Sequence, residues 1–152
     1  MEITLSLIIY SKEIDKLKRR FLKPLLWHAY PYSPGYSIKI PQLIKSFSKT
    51  QALERESLAN LLRENGLNFG EIIVKSNDEF HYSFNIKSPE QEAIIKLLKT
   101  CDEIICFYRL LWLKGYFESE DFIKKVRKVN NRFINFASQI LAIAHKDKEN
   151  IK

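Results

Sequence analysis

Between Glu79 and Ile86, apolar and polar residues alternate without a slip. Phe80, Tyr82, Phe84 and Ile86 fall on one face, and His81, Ser83 and Asn85 on the other. A period of two bounded by turn residues is the pattern of a half-buried strand. Directly after it, Ser88-Pro89-Glu90-Gln91 supplies an N-cap serine, a proline at the first helical position and an acid in the first turn. A very apolar helix follows from Pro89 to about Lys114, about 39 Å long at 1.5 Å per residue. Lys114-Gly115-Tyr116 ends it, and a second helix is expected from near Ser119 to about Ala144. Few turns of the first helix are purely polar, so it must be buried on more than one side, by its own chain or by a second protomer.

Strand, helix, short turn, helix is the order of a ribbon-helix-helix unit, in which strands from two protomers pair and lay their polar face into the DNA major groove. The expected fold is therefore α+β and mostly helical, one domain over 1–152. Within it, 71–145 forms the strand-helix-helix unit, 1–70 an N-terminal helical and strand extension, and 146–152 a polar, frayed tail.

In that extension, Ile3, Leu5, Leu7 and Ile9 alternate with Thr4 and Ser6, which predicts a first strand. Ser11 caps a predicted helix from Lys12 to about Lys23, with Pro24 ending or kinking it. Residues 30–41 form a loop rich in proline and tyrosine. A short helical segment near Pro41–Phe47 and a better helix from Gln51 to Glu64 follow. Glu71–Lys75 is a further predicted strand, which Ser76-Asn77-Asp78 could turn into a hairpin with the strand at 80–86. That hairpin competes with pairing between two chains.

Catalytic signatures are absent: the chain contains no GxSxG, HExxH, Walker-type loop or GxGxxG. Cys101 and Cys106 are five apart on one helix and match no metal or disulfide spacing, so both are expected as buried thiols. Neither a metal, a cofactor nor a small-molecule ligand is expected. The acid pairs Glu54/Glu56, Glu90/Glu92 and Asp102/Glu103 are expected on solvated helix faces. The opening residues carry no positive secretory n-region, and the most apolar window, Ile104–Leu113, is too short to span a bilayer. A cytoplasmic, non-enzymatic protein is the expectation.

The net charge of +7 is uneven. Residues 1–50 carry nine basic and three acidic side chains, and the middle third is slightly acidic. This suggests a polyanionic partner. His81, Ser83 and Asn85 are uncharged donors and acceptors suited to base edges, and asparagine can bond adenine bidentately. Lys87, Lys124, Lys125, Lys128 and Arg132 would hold the phosphate backbone, and Lys16, Arg19, Arg20 and Lys23 form a second basic patch. One feature opposes a ribbon-helix-helix phosphate clamp. The start of the second helix carries Glu118, Glu120 and Asp121, which repel phosphate there.

From Ser88 onward, SPEQEAIIKLLKTCDEIICFYRLLWLKGYFESEDFIKKVRKVNNRF resembles the C-terminal half of AcaB-type proteins of conjugative plasmids and integrative conjugative elements. The resemblance rests on the Ser-Pro start, Leu97-Leu98, Asp102-Glu103, Gly115 and the basic second helix. Ile40-Pro41-Gln42-Leu43 through Phe47 matches an N-terminal motif of that family loosely, and its Asp-Asp-Pro-Tyr-Ala segment has no counterpart here. The resemblance implies a ribbon-helix-helix-like, DNA-binding regulator of conjugative-transfer genes. With the strand-helix-helix order, the expectation is a dimer or tetramer that binds duplex DNA. The competing expectation is an accessory protein–protein interaction module of a conjugative element that binds no DNA.

Overall fold

The computed structural model describes residues 3–67 and 79–150, the last four by backbone alone. The elements are β1 (Ile3–Ile9), α1 (Lys12–His28), α2 (Lys39–Glu64), β2 (Phe80–Ile86), α3 (Pro89–Leu113) and α4 (Ser119–Asn150). The fold is α+β and mostly helical, with four helices and a two-stranded antiparallel sheet among the described residues. The strand expected at 71–75 and the turn after it lie outside the described residues.

Helix α3 is the axis of the molecule, and the burial that its apolar sequence demands is supplied by its own chain. Ribbon, α1, α2 and α4 all pack against it, and Ile94, Leu98, Ile104, Ile105, Phe107 and Leu111 are almost wholly buried. Its start is held by a reciprocal cap. Ser88 Oγ accepts from Gln91 N at 3.2 Å while Gln91 Oε1 accepts from Lys87 N at 2.7 Å. The same two side chains donate to the end of α1, Ser88 Oγ to Ala29 O and Gln91 Nε2 to Leu26 O, both at 2.9 Å. At the other end, Gly115 takes φ +86°. Tyr116 N then bonds Leu111 O at 2.9 Å and Gly115 N bonds Trp112 O at 3.0 Å, the pairing by which a left-handed residue satisfies the last carbonyls of a helix.

Three helices run further than their sequences suggest. Pro24 does not end α1, which continues to His28; the amphipathic stripe of Leu17, Phe21 and Leu25 buries across the proline, and that packing outweighs one missing backbone bond. The two segments expected at 41–47 and 51–64 are one helix, α2. Pro41 falls in its first turn, where its N–H would have no partner, and nothing in Ser48-Lys49-Thr50 breaks the run. The last helix likewise passes the expected end and continues to Asn150.

The sheet corrects a larger expectation. β2 pairs with β1 of the same chain, from Ile3 opposite Ile86 to Ile9 opposite Phe80. Among the described residues the ribbon is therefore formed within one chain, β1 taking the place expected for a partner's β2. The reason is the matched alternation of both strands. In this register Leu5, Leu7 and Ile9 share a face with Phe84, Tyr82 and Phe80, so both apolar rows go down onto the helices together. The N-terminal segment thus supplies half of the ribbon, and α1 supports it. A cluster of Phe21, Phe47, Phe133 and Phe136, with ring centroids 4.5–6.4 Å apart, ties α1 and α2 to α4.

Candidate nucleic-acid interface

Strand alternation sets the first feature of the site. With Leu7, Ile9 and Ile86 buried, the opposite row of each strand faces solvent: His81, Ser83 and Asn85 on β2, and Thr4 and Ser6 on β1, are exposed. The register places Thr4 opposite Asn85, Ser6 opposite Ser83 and Ile8 opposite His81. Thr4 Oγ1 donates to Asn85 Oδ1 at 3.1 Å, which orients the amide and leaves its NH2 and a second carbonyl lone pair for another partner. His81 Nε2 lies 3.1 Å from Glu79 Oε2. The three expected base-reading residues thus stand together on one wet face, joined by two from β1 that the sequence argument did not assign. Lys87, one alternation beyond Asn85, is exposed as well.

The ribbon is anchored where β1 leaves it for α1, by Asp102. Its Oδ2 accepts from Tyr10 N at 2.8 Å, and its Oδ1 accepts from Ser11 N at 2.8 Å and Ser11 Oγ at 2.6 Å. Ser11 Oγ in turn caps α1 by accepting from Ile14 N at 3.3 Å. Asp102 is 1% exposed, which corrects the solvated position expected for it. Burial pushes its carboxyl above the ordinary range, against the pull of the Ser11 and Tyr10 donors.

Beneath β2 lies the second basic patch. Lys18 Nζ sits 3.6 Å above the Tyr82 ring and 5.9 Å from that of Phe84. Arg19 pairs with Asp15 at 3.0 Å, and Tyr82 Oη donates to Asp15 as well. Burial, then the hydrogen bond to Asp15, raises the Tyr82 phenol above its ordinary value. A groove of about 470 Å³ runs between α1 and β2, lined by Lys18, Arg19, Leu22, Lys23, Leu26 and Phe84. Arg19 and Lys23 of the expected patch reach it. Lys16 and Arg20 are exposed on α1 but do not line it, and Arg20 stacks over Phe21 at 4.8 Å.

The basic residues of α4 are differently placed. That helix packs chiefly on the other three helices. Arg132 is paired with Glu54, which also accepts from Tyr108 Oη at 2.6 Å. Burial and then Glu54 raise the Tyr108 phenol. Lys125 Nζ lies 4.8 Å from the Phe117 ring and 5.4 Å from that of Tyr108, and Lys124 pairs with Glu120 at 3.6 Å. Lys128 is exposed. Glu118, Glu120 and Asp121 stand exposed around the start of α4, an anion-repelling helix terminus.

Gln51, fully buried one turn from Glu54 on α2, has neither amide atom paired among the described residues. Cys101 and Cys106 are buried, and burial pushes each thiol up to about 12. A second groove, about 750 Å³, separates α2 from α3 and is lined mainly by apolar groups such as Ala52, Ala59, Leu62 and Leu97. Among the described residues, no set of His, Cys, Asp and Glu is placed to hold a metal ion, and no helix is long and apolar enough to cross a membrane.

No protein-family model and no curated protein matches this chain. Among solved structures it is similar to selenomethionine-containing AcaB from uropathogenic E. coli, with a TM-score of 0.81 at 16% identity. The match covers 99% of this chain and 82% of that one. The sequence resemblance began at Ser88, whereas the structural likeness takes in the ribbon and α1 also: this chain has an AcaB-like fold throughout.

Proposed function

We propose that this chain is a non-enzymatic, DNA-binding regulator whose ribbon enters the major groove. The observation that carries this reading is the outward row of Thr4, Ser6, His81, Ser83 and Asn85: an uncharged hydrogen-bonding face on a two-stranded ribbon, seated on a helical base. A B-DNA major groove admits a two-stranded ribbon, and donor-acceptor side chains are what distinguish its base edges. His81, Ser83 and Asn85 act as readers, and Lys87 meets the backbone beside them. The AcaB-type resemblance supports control of conjugative-transfer or mobile-element genes, and assembly into a dimer or tetramer is part of the same proposal. Because one chain supplies both strands of this ribbon, each protomer would carry its own reading face.

The test is binding to the promoter DNA beside the chain's own gene, at two salt concentrations and with excess competitor. Asn85→Ala should cost about 1–3 kcal/mol on the specific site and little on competitor DNA. Equal losses on both would remove Asn85 as a reader. The α2–α3 groove favours a second reading, a protein–protein accessory module. Under that reading the chain shows no salt-sensitive affinity for any duplex.

A further inference from the structure

The ribbon reading leaves the backbone contacts open, because the acidic start of α4 cannot serve as the phosphate clamp and two of the four α4 cations expected at the backbone, Lys124 and Arg132, are already paired with carboxylates. We propose, resting on the reading above, that the groove between α1 and β2 seats a phosphate group of the duplex strand running along the β2 edge, with Lys18 and Lys23 as its cationic ligands and Arg19 behind them.

Four observations support this. Of the six side chains lining the groove three are cationic and none is acidic. The Asp15 carboxylate is engaged by Arg19 and by the Tyr82 hydroxyl, so it offsets one positive charge and leaves the two lysines. Leu22, Leu26 and Phe84 form an apolar wall, which strengthens a charge contact relative to one in open water. Lys18 is fixed over the Tyr82 ring, which holds its ammonium in place without neutralising it.

The location fits the reading face. Phe84, which lines the groove, lies between Ser83 and Asn85, so the groove opens on the underside of the strand that presents both. A ribbon in the major groove is flanked by a phosphate backbone at each edge. Cations below the β2 edge meet that backbone while the readers above reach the bases, as a division between positioning and reading contacts requires.

The experiment is a salt titration of duplex affinity, by fluorescence anisotropy, on the full chain and on Lys23→Gln, Lys18→Gln/Lys23→Gln, Lys124→Gln/Lys128→Gln and Asn85→Ala, each checked for folding by circular dichroism. Each phosphate contact contributes about 0.9 to the slope of log K against log salt. Lys23→Gln should lower the slope, and the double variant should remove the whole contribution of that one phosphate, about 0.9, with equal losses on specific and competitor DNA. Lys23 is exposed, so the single variant tests the seat even if loss of the Lys18–ring contact disturbs the fold. An unchanged slope in both variants, or a slope that falls only with Lys124→Gln/Lys128→Gln, overturns the seat. In that case a selective loss with Asn85→Ala would leave the ribbon reading standing. Absence of salt-dependent binding by the unmodified chain overturns both.

Discussion

Asp102 offers the sharpest test of how the ribbon is held. Its carboxylate receives two backbone N–H groups and one hydroxyl at 2.6–2.8 Å, at a site 1% exposed. A hydrogen bond to a charged group contributes about 1.5–3 kcal/mol, and a buried donor left unpaired costs about 1–3 kcal/mol. Asp102→Ala orphans the Tyr10 and Ser11 amides together. The three bonds act as one unit and do not sum, so the expected loss is about 3–5 kcal/mol. Asp102→Asn keeps one carbonyl oxygen for Ser11 but turns an amide NH2 toward another N–H, so it should lose less, about 1–3 kcal/mol. Urea unfolding followed by circular dichroism measures both, and hydrogen exchange at Tyr10 and Ser11 locates the damage. If Asp102→Ala lost under 1 kcal/mol with those amides still protected, the claim that this carboxylate ties strand to helix would be wrong. The pH dependence has a definite sign. Burial raises the folded carboxyl above its ordinary 3.8, so the folded chain keeps the proton where the unfolded chain has released it. The stability of the unmodified chain relative to Asp102→Asn should therefore be greatest below about 4 and decline as pH rises through the raised folded value.

Other expectations are simpler to check. Gly35 has φ +84°, and a Cβ there would lie 2.5 Å from the Ala144 carbonyl oxygen. Gly35→Ala should cost about 2–4 kcal/mol in urea unfolding, whereas Gly115→Ala, with φ +86° and open space around it, should cost only the conformational part, about 1–2 kcal/mol. With both thiols pushed up to about 12, Cys101 and Cys106 should resist iodoacetamide at pH 8 until denaturant is added. Rapid labelling of the folded chain would contradict their burial.

The strand at 80–86, the cap at Ser88, the stop at Gly115 and the burial of α3 were all legible, because each is written locally in period, capping chemistry or composition. The partner of β2 was not. β1 and β2 carry equivalent alternations, and nothing near either strand states that Ile3 will meet Ile86 across most of the chain. The burial of Asp102 is hidden from the sequence for a related reason. Beside Glu103 on a helix it looks like surface charge, and only the arrival of Tyr10 and Ser11 from the N-terminal end makes a buried carboxylate sustainable. The basic patch on α1 was visible as a row of cations. That Arg19 and Lys23 would join Lys18 and Phe84 in a groove depended on β2 crossing that helix.

Because both strands of the ribbon belong to one polypeptide, its outward rows are unlike: hydroxyls and a methyl-rich Ile8 along one, imidazole, hydroxyl and amide along the other. No rotation axis passes through such a ribbon, so turning it end for end presents a different chemistry. If the proposed reading holds, a sequence recognised by one ribbon carries a direction: each half-site would be non-palindromic, and its orientation would fix which way that protomer points along the DNA.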